Sequence, residues 1–280
     1  MEPENLKAHL DEIIHNYNRK ASPDFEGLSP EQMYCLVNDP FSVESPLKLR
    51  TLDPEDFARI PILNQIKYLI AHLKENDELK LTKKGFLPVK LVADLYNQGY
   101  IKDVHIEEGI SKLYKETDAG VIHLSRLLLE LSGMTKKRNG KLSLTKAGGK
   151  IAANDQELLE LIFKTMCLKF NWSYFDGYED ENVGQLGFGF SLLLLSKYGQ
   201  QSRPAAFYLE KYLQAFPQLL ERIEPGYRSP QEYALAMYSI RSFDRFLLYF
   251  NFISKSGGEF DPAKHLEIKT TGLYEKFVGF

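Results

Sequence analysis

Apolar residues recur three and four positions apart along most of this chain, the spacing that places them on one face of an α-helix. Between residues 1 and 131 this pattern predicts helices over 1–20, 62–75, 88–99, 106–116 and 121–131. The chain is therefore expected to be mainly α-helical, with short β-hairpins where the helical spacing lapses.

A β-hairpin is predicted after the last of these helices. Asn139-Gly140 stands between two short polar and apolar alternations, and both residues tolerate the positive φ of a type I′ turn. A further helix is expected from Thr145 to about Phe170. Helices closed by a hairpin are thus the predicted building block.

The last third of the chain repeats the middle third in faint form. Three pairs of segments align at offsets of 116, 119 and 124 residues: 88–96 with 204–212, 123–136 with 242–255, and 142–148 with 266–272. Small loop insertions would produce this drift in offset. The second copy is expected to contain helices over 188–198, 204–216 and 239–250, then a hairpin around 251–269. The sequence therefore predicts an internal duplication.

The end of each predicted hairpin carries a recognisable string. Leu142–Gly148 reads Leu-x-Leu-Thr-x-x-Gly, and Leu266–Gly272 keeps the spacing but has Lys269 where Thr is usual. Leu79–Gly85 also fits the string, in the position of a first strand. Helices followed by a hairpin with this ending resemble the winged-helix (winged helix-turn-helix) superfamily. The resemblance implies two winged-helix units in tandem, in a protein of bacterial type.

Four segments follow from these patterns, and the fold class is mainly α with short β-hairpins (α+β). They are 1–60, N-terminal helices and a proline-rich arm; 61–155, the first winged-helix-like unit; 156–187, a connecting helix and an acidic aromatic loop; and 188–280, the second unit. The 18 Phe and 16 Tyr, many of them after Phe163, predict an aromatic core.

The glycine-rich stretch Gly184–Phe190 follows no predicted strand, so it does not have the context of a dinucleotide-binding loop. It predicts close helix packing or a hinge. The acidic residues just before it predict a solvated loop.

Charge singles out the first hairpin. The whole chain has a net charge of −3, but residues 131–154 contain six basic residues and no acidic one. Such a hairpin can follow a phosphate backbone, or its lysines can guard an exposed sheet edge against pairing with another strand. Both interpretations remain open. The candidate nucleic-acid-binding residues of the hairpin are Lys136, Lys137, Arg138, Lys141 and Lys146.

The third helix of each predicted unit adds further candidates. Arg126 lies on the first, and Arg241 and Arg245 lie one turn apart on the second, where Asp244 is close enough to pair with one of them. Most neighbouring residues are apolar, which favours packing over base recognition. Contact with nucleic acid is therefore expected mainly through the phosphate backbone.

No HExxH, HxH or GxSxG pattern occurs, so the sequence predicts neither an enzyme, nor a metal site, nor a cofactor. Two function classes remain: a regulator, such as a transcription regulator, that contacts DNA or RNA phosphates, and a protein-interaction scaffold. Two isolated cysteines, a polar N-terminus and the lack of a long apolar run predict a cytoplasmic protein without membrane partners.

Overall fold

The computed structural model describes residues 3–224, 226–257 and 265–280. The fold is 55% helical with 9% strand, and its strands form small antiparallel sheets. The predicted fold class, mainly α with short hairpins, is confirmed.

The helices are α1 (Pro3–Arg19), α2 (Pro30–Asn38), α3 (Pro61–Asn76), α4 (Val89–Asn97), α5 (Val104–Glu107), α6 (Gly120–Leu131), α7 (Lys146–Ile151), α8 (Asp155–Leu168), α9 (Phe188–Tyr198), α10 (Ala205–Ala215), α11 (Gln218–Glu221), α12 (Pro230–Tyr238) and α13 (Gly272–Phe277). Single 3₁₀ turns occur at Pro23–Phe25, Phe57–Arg59, Glu116–Asp118 and Trp172–Phe175. The strands are β1 (Lys48–Leu49), β2 (Leu79–Lys80), β3 (Thr135–Arg138), β4 (Lys141–Leu144), β5 (Arg203–Pro204), β6 (Ile253–Ser256), β7 (Glu267–Thr270) and β8 (Val278–Gly279).

The chain divides into two compact units that are not continuous in sequence. Unit 1 contains the chain up to Arg50, residues 178–242 and the chain from Ile253 onward. Unit 2 contains residues 51–177 and 243–252. Helix α8, predicted as a connector, packs on α3 and α6 and so belongs to unit 2.

Unit 2 is built around α3, α6 and α8. Helix α3 begins at Pro61, whose fixed φ suits the first helical position, and it buries an apolar stripe that includes Ile62, Ile66 and Leu73. The ring of Phe163 on α8 lies 5.3–5.9 Å from those of three phenylalanines of the 243–252 segment, Phe246, Phe250 and Phe252. The predicted aromatic core is present here.

Unit 1 is centred on α9, which is apolar on every side. All residues from Phe188 to Leu195 are buried, because α2, α10 and the strands β7 and β8 pack around this helix. Buried tyrosines supply much of the surrounding core, and several of their hydroxyls are hydrogen-bonded. Tyr212 donates to the carbonyl of Leu186 at 2.6 Å and Tyr238 to the hydroxyl of Ser191 at 2.9 Å. Burial raises the pKa of Tyr238.

Each unit carries one three-stranded antiparallel sheet, and the two sheets share strand order and register. The orders are β2-β4-β3 in unit 2 and β5-β7-β6 in unit 1. Leu142 of β4 pairs with Leu79 and Lys137, while Ile268 of β7 pairs with Arg203 and Lys255. Position for position, β4 therefore corresponds to β7 and β3 to β6.

This register corrects two of the sequence alignments. Lys136 lies at the position of Ser254, so the offset between β3 and β6 is 118 rather than 119. Thr145 and Thr271 both cap the helix that follows the sheet, so the true offset there is two residues larger than the string match implied. Gly148 lies at the third helical position, where a Cβ would be 2.1 Å from the carbonyl oxygen of Met134. Gly272 lies at the first, where a Cβ would meet nothing within 4 Å. The two glycines do not correspond.

Two predicted helices are also wrong. Only the single turn α5 forms within 104–107, and the rest of the predicted 106–116 helix is irregular apart from the turn that starts at Glu116. The helix expected from Thr145 to Phe170 is two helices, because Asn154 accepts from the backbone N–H groups of Gln156 and Glu157 and starts α8 afresh. The tip of the second hairpin, residues 258–264, lies outside the described residues.

Candidate nucleic-acid interface

The basic hairpin consists of β3 and β4. Together with β2 it forms the three-stranded sheet of unit 2, called here the basic sheet. Asn139 and Gly140 have φ of 50° and 69°, as the predicted type I′ turn requires. The N–H of Leu81 donates to the carbonyl of Gly140 at 2.8 Å, which brings the chain after β2 alongside the hairpin tip. The hairpin prediction is confirmed, and a third strand joins it.

A row of three cations crosses this sheet. Lys141 on the central strand is paired with Lys80 on one side and Arg138 on the other, so all three side chains leave the same face. Lys136 shares that face by alternation along β3. The opposite face carries Leu79 and Leu142, both buried against the unit. The outer face is therefore a solvent-facing cationic surface.

The hairpin cations predicted from sequence are all exposed: Lys136, Lys137, Arg138, Lys141 and Lys146. Lys141 forms an ion pair with Glu78 at 2.6 Å, between two half-exposed side chains. That hydrogen bond, helped by the charges of Lys141 and Lys136, lowers the pKa of Glu78. Within the described chain, Lys136, Lys137 and Arg138 have no ion-pair partner.

A second group of cations, on β2 and the turn that follows it, was not predicted from the sequence. Lys80, Lys83 and Lys84 are exposed. Gly85 has a φ of +81°, and a Cβ there would lie 2.2 Å from the Nζ of Lys137. The turn thus lies against the hairpin. The signal was the Leu79–Gly85 string itself, which was considered only as a strand.

Taken together, residues 77–87 and 134–150 contain nine basic and two acidic side chains. Like charges placed opposite one another on adjacent strands destabilise a sheet, so the row has a cost in stability. Edge protection accounts for cations on the outer strands β2 and β3 but does not require one on the central strand β4. Glu78 offsets part of the charge of Lys141, and binding of an anionic partner accounts for all three cations.

Helix α6 is not available to read bases. Eight residues of this twelve-residue helix are buried, including its polar residues His123, Ser125 and Arg126. Arg126 is only 4% exposed, so its prediction as a nucleic-acid contact is wrong. The helix face that would have to enter a groove is instead part of the core.

Arg126 belongs to a buried ionic cluster next to Phe86 and Leu87. The carboxylate of Glu116, fully buried, accepts from the Nε of Arg126 at 2.7 Å, from His123 Nδ1 and from the N–H of Leu87 at 2.5 Å. Burial alone would raise the pKa of Glu116, but these hydrogen bonds and the arginine charge outweigh it and the pKa is lowered. Arg126 also binds Glu130, so the charge of the arginine is compensated within the cluster.

The two arginines of the second unit are also not surface contacts. Arg241 is 1% exposed and donates to the carbonyls of Val183 and Asp180, at 3.0 and 2.8 Å, so its prediction as a nucleic-acid contact is wrong. Arg245 is half-buried with its Nη1 enclosed, which argues against that role. Both lie on a π-helical stretch, Ser239–Leu247, whose wider turns break the one-turn spacing assumed from sequence.

Arg241 instead holds the acidic loop and the glycine-rich stretch in place. The Oδ1 of Asp180 accepts from the N–H groups of Asn182 and Val183, both at 2.8 Å. A Cβ at Gly187 would lie 2.3 Å from the ring of Phe216 and one at Gly189 would lie 2.6 Å from Leu36. The prediction of close packing is confirmed here.

Residues 58–157 match the Y4jL N-terminal domain family. The match covers less than half of the chain, nearly the same residues as the first predicted unit, and includes the whole basic sheet. No curated protein and no solved structure matches the chain.

Two surveys of the described residues complete the site. None of their helices combines the length and the apolar character required to cross a bilayer. They also contain no group of three or more His, Cys, Asp or Glu side chains arranged to hold a metal ion.

Proposed function

We propose that this protein is a non-enzymatic regulator that binds nucleic acid through the basic sheet, by contacts to phosphates. The carrying observation is the Lys80–Lys141–Arg138 row, since it places aligned cations on all three strands where edge protection needs only two. Neighbouring strands lie about 4.8 Å apart, so the row spans roughly 10 Å.

Binding through phosphates follows from what the core encloses. Helix α6 is buried, and Arg126 and Arg241 are bonded to internal partners. The exposed cations are lysines and one arginine on a sheet, which provide charge without an ordered set of hydrogen-bonding groups for base edges. We therefore expect affinity that depends steeply on salt and little on sequence.

We also propose that both units are winged-helix units that arose by duplication. Support comes from the matching strand order and register of the two sheets and from the threonine cap that follows each. The duplicated arrangement then carries strong positive charge in only one copy.

Fluorescence anisotropy with a labelled mixed-sequence duplex, measured from about 50 to 200 mM salt, tests the proposal. Replacing Lys136, Arg138 and Lys141 by Gln should flatten the plot of log affinity against log salt by about 2–3 units, since each phosphate contact contributes about 0.9. The matched control replaces the exposed Lys255 and Lys269 of the other sheet, and should leave the slope unchanged. Absence of salt-sensitive binding by the wild-type protein rejects the proposal.

A protein-interaction scaffold is the second candidate, favoured by exposed apolar side chains in the irregular part of unit 2. Val104, Ile110 and Tyr114 are 58%, 69% and 64% exposed. A defined protein partner that binds the wild type, but not a variant with serine at these three positions, would favour this function. Unchanged binding of that partner would count against it.

We propose a cytoplasmic location. Both cysteines are free thiols, and burial raises the pKa of Cys167, which keeps it unreactive.

A further inference from the structure

Resting on the proposed function, we infer that the turn Thr82–Phe86 is a second phosphate-binding element and that Lys83 and Lys84 contact the same nucleic acid as the hairpin. These residues precede the hairpin by about fifty positions in sequence. The fold alone brings the two segments together.

The turn lies beside the hairpin tip. The turn leaves β2 directly after Lys80, the first member of the cationic row, and Leu81 remains hydrogen-bonded to the hairpin tip at Gly140. Lys137 extends to Gly85 from the face of the sheet opposite to the row. Lys137 therefore adds charge beside the turn, on the side opposite to Lys80, Lys141 and Arg138, and the turn itself carries Lys83 and Lys84.

The backbone of the turn is fixed by hydrogen bonds. The N–H of Gly85 donates to the carbonyl of Thr82 at 2.8 Å, and the N–H of Phe86 donates to its hydroxyl at 3.0 Å. At Leu87 the chain is fixed to the buried carboxylate of Glu116. A turn held at both ends loses little conformational freedom on binding, apart from that of its two lysine side chains.

The side chains of Lys83 and Lys84 are available to a ligand. Lys83 and Lys84 are exposed, and within the described chain neither has an ion-pair partner or a hydrogen-bonded acceptor. An edge-protection role is also insufficient, because these residues lie beyond the end of β2 and have no strand edge to guard. Their charge is free to act on a ligand.

The experiment measures the salt dependence of binding to the same labelled duplex for three proteins: the wild type, K83Q/K84Q, and the K255Q/K269Q control. The turn variant should bind more weakly and should flatten the slope by about 1–2 units, whereas the control should match the wild type. K83R/K84R should restore both values, since it restores the charge. Thermal melting of each variant checks that the fold is retained.

The outcomes separate the two proposals. If the wild type binds, the hairpin variant weakens binding and K83Q/K84Q behaves like the wild type, the inference about the turn is overturned while the proposed function stands. If K83Q/K84Q and the control lose affinity equally, the effect is one of net charge and the inference is again overturned. If the wild type does not bind, both fail together.

Discussion

The two three-stranded sheets have the same strand order and register but present different charges. At the positions of Lys136, Arg138 and Lys141 in the basic sheet, the sheet of unit 1 has Ser254, Ser256 and Glu267. Pro204 stands where Lys80 does. Matching backbone pairing with different outer-face residues indicates that register depends on the buried faces, Leu142 and Ile268 above all. The exposed faces are free to differ in function.

The largest expected effect concerns the buried ionic cluster of Glu116, His123 and Arg126. Replacing Glu116 by Gln removes the carboxylate that accepts from buried Arg126 and from the N–H of Leu87, and should lower the free energy of unfolding by about 3 kcal/mol, because the buried arginine loses its fully buried partner. Urea denaturation at neutral pH measures it. Glu130→Gln is the control: this partly exposed carboxylate is a second partner of Arg126, so a smaller loss is expected. Equal losses would contradict the central role of Glu116.

The Glu116→Gln variant also tests how the stability of the fold depends on pH. The pKa of Glu116 is lowered in the folded protein, so its stabilising contribution is present above the ordinary value of 4.5 and is lost as pH falls through the lowered value. Denaturation midpoints measured below pH 4.5 should therefore fall more steeply for the wild type than for Glu116→Gln. Parallel curves would show that this carboxylate does not set the acid limit.

The next largest effect is a difference in stability between alanine variants of the two glycines that follow the sheets. Gly148→Ala places a methyl group against the backbone of Met134 and should cost about 1–3 kcal/mol, since the backbone cannot yield as a side chain would. Gly272→Ala meets open space at the start of a helix and should be neutral or slightly stabilising. Thermal melting of both variants decides. Comparable losses would mean that the two glycines correspond after all.

The helix caps should show a smaller difference. The hydroxyl of Thr145 accepts from the N–H of Gly148 at 2.9 Å, whereas that of Thr271 accepts from Tyr274 at a longer 3.4 Å. Thr145→Ala should cost about 1 kcal/mol and Thr271→Ala less, because the shorter bond is the stronger one. Chemical denaturation of the pair provides the measurement, and the reverse ranking would contradict it.

The subtlest test transfers charge from one sheet to the other. Substituting Lys, Arg and Lys for Ser254, Ser256 and Glu267 gives unit 1 the hairpin charges of the basic sheet. If sheet geometry plus charge is sufficient for phosphate contact, duplex binding should gain about 2–3 units of salt slope. A folded variant with no gain would show that the turn Thr82–Phe86 is also needed. No such turn follows β5 in unit 1, because α10 begins directly after it.

Local patterns predicted the elements that local physics controls. The spacing of Ile62, Ile66 and Leu73 defined α3, and Asn139-Gly140 defined the hairpin, since helix faces and type I′ turns depend on neighbouring residues. The charge run likewise identified the hairpin cations. Long-range pairing was beyond this reasoning: nothing near Lys80 in sequence shows that it pairs with Lys141.

Buried polar groups were the main source of error. Arg126 and Arg241 look like surface residues because arginine is seldom enclosed, yet each has internal acceptors: Glu116 and Glu130 for Arg126, and carbonyls about sixty positions away for Arg241. Glu116, at the end of a segment wrongly predicted as helix, gave no sign that it would meet Arg126. Regular spacing also failed over Ser239–Leu247, since no pattern announced wider helical turns.

That π-helical stretch leads from unit 1 into the residues that complete the other core. Phe246, Phe250 and Phe252 surround Phe163, although they follow it by more than eighty positions. A fragment cut to the family-matched region, residues 58–157, would lack both Phe163 and these three phenylalanines, and with them the aromatic part of this core. Truncations that separate the 243–252 segment from the rest of unit 2 should therefore fail to give a folded unit, even where they follow the bounds of the family match.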